Sequence, residues 1–298
     1  MNHWVAFPRL GIEFPLPQSL FEGTVFGMEL DIRFYGVCIA TGFLLAMIYA
    51  YVRAPKLGVD RDNMIDVVLV ATVVGVLCAR LYYVIFHNLE YYLSHPEKIL
   101  AIWDGGLAIY GGILGGFLAG FIMCRIKKVS VPTMFDLAAI GFLIGQGIGR
   151  WGNFFNQEAY GRNTDLPWGM TGDIIQSGVH GAVADQTAPV HPTFLYESLW
   201  CLLGVLVMHL MFTRYYKFRG QIFASYIIWY GAERMLVESL RADSLYVGPF
   251  RVSQLVAIAS VLSGVTLWVF LWRREKRKHE TDALADGSIT LETIEEDE

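Results

Sequence analysis

Apolar residues along this chain fall in blocks of similar length. Stretches nearly free of charge cover roughly 33–52, 64–86, 107–124, 134–150, 192–212, 221–239 and 252–272. Each is close to the ~20 residues with which an α-helix crosses ~30 Å of hydrocarbon. The gaps alternate in basic content. Arg53, Lys56 and Arg61 precede the second block, and Arg125, Lys127 and Lys128 follow the third. Arg214, Lys217 and Arg219 follow the fifth, and Arg273, Arg274, Lys276, Arg277 and Lys278 follow the last. The other gaps hold Lys98, Arg162, and the pair Arg241 and Arg251. Because cytoplasmic loops carry the excess of Lys and Arg, this alternation puts the carboxy terminus inside and the amino terminus outside, in agreement with seven crossings.

The pattern therefore predicts an all-α integral membrane protein with seven transmembrane helices in one catalytic or transport domain, 1–272. The longest gap, 151–191, becomes an outward-facing loop subdomain with turn signals such as DLPWG. A cytoplasmic tail, 273–298, is basic and then acidic, and is expected to be disordered. The amino-terminal MNHWVAFPRLGIEFPLPQSLFEG has three prolines, three charges and no continuous apolar core, so a cleaved signal peptide is not expected.

Composition supports the membrane assignment: 54% of the 298 residues are hydrophobic and only 17% charged, against about a quarter charged in soluble domains. The net charge of −5 belongs to the tail, whose eight acids from residue 279 onward leave the rest of the chain at +3. Cys38, Cys78, Cys124 and Cys201 sit within or at the ends of apolar blocks and form no CxxC, so neither a disulfide framework nor a cysteine nucleophile is indicated. The histidines show no ligand spacing, and a metal site is not expected.

Candidate chemistry gathers at the outer end. The sixth block reads IIWYGAERMLVESLRADS, in which Tyr230, Arg234 and Glu238 recur every four residues and Arg241 follows three later, giving one helical stripe. Ionisable groups at membrane depth cost a few kcal/mol each and normally face a bundle interior or a wet cavity. An Arg234–Glu238 pair that only locks helices together would not require a second arginine. The fourth block supplies that second arginine in GRWGNFFNQEAYGR, residues 149–162, where Arg150, Asn153 and Gln157 follow at helical spacing beside Gly145, Gly147, Gly149 and Gly152. Two guanidinium groups, always charged and able to fork onto two oxygens, suit a phosphate. At a membrane surface the abundant phosphates are lipid headgroups. Arg80 shares the outer bias.

Tyr110 lies one turn inside the outer boundary, where an interfacial aromatic and a catalytic hydroxyl fit equally well. Gly112, Gly116 and Gly120, with Gly111 and Gly115, form small-residue seams that helix packing explains. In HPTFLYE, His191 opens the fifth block, and Glu197 falls inside the membrane, where it is expected to pair with an arginine or accept a backbone donor.

These segments resemble the prolipoprotein diacylglyceryl transferase family. The likeness rests on GRWGNFFNQEAYGR together with RFYG at 33–36, WDGGLAIYGG at 103–112, HPTFLYE at 191–197 and ERMLVESLR at 233–241, in order along the chain. The resemblance implies transfer of the diacylglyceryl group of phosphatidylglycerol to the lipobox cysteine thiol of a preprolipoprotein, with release of glycerol phosphate. It implies no cofactor and no nucleic-acid partner. It places the protein in the bacterial cytoplasmic membrane, with its site toward the outer face. The functional positions it implies are Tyr35, Tyr110, Arg150, Asn153, Glu158, Gly161, Tyr230, Arg234, Glu238 and Arg241. Many members carry histidine where this chain has Tyr110, which leaves the general base open.

In this reading Arg150 and Arg234 stabilise charge developing on the leaving phosphate, Asn153 adds a neutral donor, and Glu158 and Glu238 orient the arginines. Tyr110 contacts the headgroup or relays the thiol proton. A transporter would spread polar residues through the membrane thickness, whereas here most gather in the outer half. An intramembrane hydrolase would need a nucleophile beside a base, yet the chain has no GxSxG, and Asp66 and Asp136 lie at inner ends of separate blocks.

Overall fold

The structure is a computed structural model that describes residues 3–25, 27–181, 183–241, 246–247 and 250–285. In chain order its strands are β1 (Trp4–Phe7), β2 (Ile12–Pro15), β3 (Ser19–Val25), β4 (Met28–Arg33), β5 (Thr171–Gly172), β6 (Tyr246–Val247) and β7 (Phe250–Arg251). The helices are α1 (Phe34–Arg53), α2 (Arg61–His87), α3 (Leu89–Ser94), α4 (Ile109–Ile126), α5 (Val131–Asn156), α6 (Asp173–Ser177), α7 (Thr193–Arg214), α8 (Gln221–Glu238) and α9 (Val252–Ala285).

Each of the seven apolar blocks is a helix, with ends close to those predicted except at the carboxy-terminal ends of α5 and α9, which run on to Asn156 and Ala285. Six of them, α1, α2, α4, α5, α7 and α9, are long and apolar enough to cross a membrane. The seventh, α8, is helical over 18 residues but carries Glu233, Arg234 and Glu238 in that length. The molecule is a multi-pass membrane protein of mostly helical build. It is not purely helical, because the amino-terminal segment forms strands. Helix α9 runs past the expected end of the last span to Ala285, so the first half of the expected tail is helical, while 286–298 lie outside the described residues.

The chain divides into two compact units. One comprises residues 47–137 and the other 1–46 with 138–298. In the 47–137 unit, α2 and α4 pack through small residues. A Cβ on Gly75 would sit 3.3 Å from the Gly112 carbonyl and 3.4 Å from Gly116 Cα, and one on Gly111 or Gly115 would run into Cys78. This close approach replaces hydrophobic driving force in lipid with backbone-to-backbone packing. Asp60 caps α2 by accepting from Asp62 N and Asn63 N at 3.1 Å each, which satisfies two otherwise orphaned donors.

The WDGG turn that leads into α4 is held by Arg80. This side chain is 2% exposed. Its Nε donates to the Ile99 carbonyl at 2.9 Å and Nη2 to that of Lys98 at 2.7 Å, while Nη1 reaches the carbonyls of Gly105 and Gly106. Arg80 is thus occupied by backbone and does not belong to an anion site, contrary to its outer position in the sequence. Gly105 and Gly106 have φ of +79° and +73°, the left-handed region that favours glycine.

In the other unit, β1 is the centre of a three-stranded antiparallel sheet of order β2-β1-β5. Val5 pairs with both Phe14 and Gly172. Val5, Leu16, Phe154, Tyr160, Met170, Ile175, Val190 and Phe194 form one buried cluster. It joins the amino terminus, the 151–191 loop and the facing ends of α5 and α7. The expected outer loop subdomain is therefore built from two distant parts of the chain.

Candidate active site

Three helices of this second unit are locked together by polar and small-residue contacts. Ser198 Oγ on α7 donates to the Gly147 carbonyl on α5 at 2.7 Å, and Trp151 Nε1 donates to Ser198 Oγ at 3.2 Å. A Cβ on Gly147 would lie 3.2 Å from Cys201 Cβ, so this glycine sets how closely α5 and α7 approach. Trp200 and Trp229 each donate through Nε1 to the other's carbonyl, at 3.3 and 3.2 Å, pinning α7 to α8. Gln146 Nε2 donates to Tyr226 Oη at 2.9 Å, tying α5 to α8.

One turn along from these contacts, a charged group from each helix meets. Arg150 Nε of α5 lies 2.7 Å from Glu197 Oε2 of α7. The contact is a charge contact and not an aligned hydrogen bond, since Oε2 has no hydrogen-bond partner. Arg234 Nη1 of α8 reaches the other oxygen, Oε1, at 3.4 Å, and its Nη2 bonds Glu238 Oε2 at 2.7 Å. One fully buried carboxylate therefore stands between two arginines, and a second, 1% exposed, holds Arg234 from the next turn. Over these four groups positive and negative charges are equal in number.

The arginines themselves are not sealed in. Their side chains remain 22% and 18% exposed. Among the described residues no protein acceptor engages the terminal nitrogens of Arg150. A guanidinium has five N–H donors, so both arginines keep donors to spare. Among the described residues no group of three His, Cys, Asp or Glu side chains is placed to hold a metal.

The other expected residues divide between this cluster and its surroundings. Asn153 Nδ2 donates to Glu158 Oε1 at 2.8 Å, and Asn156 Nδ2 to the same oxygen at 3.3 Å. Glu158 thus orients Asn153, and it is Glu197 that orients Arg150. Tyr35 lays its ring on Gly152, where a Cβ would come within 2.7 Å of it, and lies within electrostatic reach of Glu158 and Arg150. Tyr230 lies within reach of both arginines.

Gly161 is a crossing point. Its amide donates to the His191 carbonyl at 2.9 Å, and it bridges to Arg241. A Cβ there would sit 2.7 Å from His191 Cβ and 2.8 Å from the Leu240 carbonyl. It brings Arg241 to the loop without contributing a side chain. His191 Nδ1 lies 3.2 Å from Tyr196 Oη, which accepts from Trp168 Nε1 at 2.7 Å. Burial pushes the His191 imidazole below its ordinary value of 6.5, and the Arg162 charge acts in the same direction. Tyr110, 63% exposed on the first turn of α4, belongs to the 47–137 unit.

Gln157 is not on the arginine face. Helix α5 ends at Asn156, Gln157 turns left-handed with φ of +49°, and its fully buried amide donates to the Trp4 carbonyl at 2.9 Å and to Asp173 Oδ1 at 3.1 Å. Helical spacing past Asn156 therefore misleads, and Gln157 fastens β1 and α6. Conversely, Glu233 carries no expected role, yet it is 2% exposed, has an unpartnered Oε1, and interacts electrostatically with Glu197, Arg150 and Arg234. The available signal was an acid standing inside an apolar block.

Three packed helices of a multi-pass membrane fold bring two partly exposed arginines onto one buried carboxylate, which defines the class as an intramembrane protein with a polar site. The sequence comparison narrows the class. The profile of the family described as prolipoprotein diacylglyceryl transferase matches residues 24–270, and the chain belongs to that family. The phosphatidylglycerol–prolipoprotein diacylglyceryl transferase of Clostridioides difficile is 39% identical over 253 residues, covering 85% of this chain and 95% of the relative. That of Limosilactobacillus reuteri is 40% identical over 267 residues, covering 89% and 94%. That of Acaryochloris marina is 40% identical over 276 residues, covering 91% and 95%.

Proposed function

We propose that this protein transfers the diacylglyceryl group of phosphatidylglycerol to the lipobox cysteine thiol of a preprolipoprotein at the outer face of the bacterial cytoplasmic membrane. The observation that carries this reading is the convergence of Arg150 and Arg234 on Glu197 with spare donors on both arginines. The thiolate sulfur attacks the glycerol carbon that bears the phosphate. A carbon–sulfur bond forms, the carbon–oxygen bond breaks, and its electron pair leaves on the bridging oxygen as glycerol phosphate.

Negative charge grows on that oxygen as the bond breaks. Guanidinium groups fixed on the phosphate stabilise it more in the transition state than before, which is the condition for raising the rate. Glu197 and Glu238 hold the two arginines in place, so little reorganisation is needed during reaction. Asn153, set by Glu158, serves as the neutral donor, and Tyr35, Gly161, Tyr230, His191 and Arg241 line the substrate region. A free thiol with pKa ~8.5 is mostly protonated at neutral pH, so its proton must be taken up during the reaction. Tyr110 serves this reading as headgroup donor or proton relay. A tyrosine hydroxyl, with pKa ~10, donates more readily than it accepts.

The test is transfer of label carried in the diacylglyceryl group of phosphatidylglycerol, not in its headgroup glycerol, to a lipobox peptide by the reconstituted protein. The peptide becomes labelled, and its Cys-to-Ser counterpart stays unlabelled. Lipid translocation without peptide modification would instead support a transporter. Replacement of Tyr110 divides its roles: Tyr110→His is expected to retain more kcat than Tyr110→Phe, and full activity of Tyr110→Phe would remove the hydroxyl from the mechanism.

A further inference from the structure

The β3–β4 hairpin has two unlike faces, and among the described residues both keep exposed side chains. Cross-strand pairs Phe21↔Ile32 and Gly23↔Leu30 share one face, while Glu22↔Asp31 and Thr24↔Glu29 share the other. Leu20, at the register shift, adds a further apolar group at the base. The Phe21 ring folds over Gly23, whose added Cβ would lie 2.9 Å from it, so the apolar face is continuous across the glycine. Yet Phe21, Leu30 and Ile32 remain 43%, 44% and 39% exposed.

The opposite face is ionic: Asp31 accepts from Ser19 Oγ at 2.5 Å and from Arg33 Nε at 2.9 Å. An isolated two-stranded hairpin is marginal in water, and needs its apolar face covered to be stable. Its neighbour in the chain indicates the cover. Arg33 is followed directly by Phe34, the first residue of α1, and α1 presents Ile39, Phe43 and Leu44 outward along its membrane span.

We propose that the β3–β4 hairpin lies in the bilayer surface at the amino-terminal end of α1, with Phe21, Leu30 and Ile32 in the lipid and Glu22, Glu29 and Asp31 toward water. Its apolar face then adjoins the lipid-facing surface of α1, which begins at the next residue. Arg33, held over Asp31, marks the headgroup level. The same amphipathic geometry places surface helices in the interface, with an apolar face dipping ~5–10 Å below the headgroups. The hairpin is ~20 Å long at ~3.3 Å per residue, so lying flat it covers a strip of bilayer beside the start of α1.

The test places single cysteines by Leu30→Cys, Ile32→Cys, Glu29→Cys and Asp31→Cys in a chain whose four native cysteines are replaced by alanine and which retains lipobox-peptide transfer. Each is labelled with a polarity-sensitive fluorophore in phosphatidylglycerol-containing nanodiscs. Labels at 30 and 32 are expected to emit blue-shifted and to be quenched severalfold more by a headgroup-level nitroxide lipid than by aqueous iodide, with the reverse at 29 and 31. Equal iodide quenching at all four positions overturns the proposal. It is overturned too if 30 and 32 leave water only after the lipobox peptide is added, since the peptide is then the occupant.

A variant with native cysteines gives an independent readout. Leu30→Asp with Ile32→Asp is expected to raise glutamyl-protease cleavage after Glu22 and Glu29 in nanodiscs severalfold. Cleavage equal to that of the parent protein counts against lipid burial.

Discussion

Arg150→Lys is expected to lower kcat for diacylglyceryl transfer by about 10²–10³-fold, the range seen when one fixed donor to a developing oxyanion is removed. Lysine keeps the positive charge but is a compact ammonium on a flexible stem. It cannot touch Glu197 through one edge and offer a planar pair of donors from the other, as Arg150 is placed to do. The charge balance of the cluster survives, so the thermal unfolding midpoint should stay within a few degrees of the parent. Kinetics on phosphatidylglycerol and a lipobox peptide, with a melting curve on the same sample, check both halves. Near-normal turnover would remove two-pronged phosphate recognition from the mechanism.

Glu197→Ala is expected to have the larger effect on the protein as a whole. Removing one partner of a fully buried ion pair costs about 3–5 kcal/mol; here both arginines reach solvent and Arg234 keeps Glu238, so the loss should fall below that range. Here two arginines from different helices lose the same partner, so α5, α7 and α8 lose their charged junction together. Glu197→Gln separates the two consequences. Its amide fills the same volume and still offers one acceptor, so the helices should assemble with a smaller stability loss. Transfer should still fall by roughly 10²-fold, the cost of misplacing groups by about 1 Å. Glu238→Gln touches Arg234 alone and should be milder. A Glu197→Gln protein with full activity would make the shared carboxylate a mere helix lock.

Much of this architecture is legible along the chain because lipid imposes one rule on every span. Continuous apolar runs mark α1, α2, α4 and α7 to within a few residues, whereas α5 and α9 run on past the ends of their runs. The Tyr230–Arg234–Glu238 stripe needs only helical geometry to be recognised, and Glu197 announces itself as an acid within a span. What escapes is whatever depends on partners far away in sequence. Strand β1 finds β5 across a gap that no local pattern records, and its four residues are too few to show a period.

Arg80 shows only its outer position in the sequence, because its partners are backbone carbonyls, which a sequence does not display. Gln157 misleads because a left-handed turn ends the helix one residue earlier. Glu233 is overlooked for a related reason. The four-residue stripe through Arg234 and Glu238 leaves it on a neighbouring flank, where its burial becomes evident only once α7 is set against α8.

The three charges of α8 bear on how the chain is made as well as on what it does. Each charged side chain at the centre of a lone helix opposes transfer into lipid by roughly 2.5–3.5 kcal/mol. Glu197 on α7 offers Arg234 a counter-ion, and the reciprocal tryptophan bonds give the two helices a matched surface. On its own, α8 is a poor guest for the bilayer. Insertion of α8 should therefore be favoured by α7 at its side, with Arg150 of α5 completing the ion cluster.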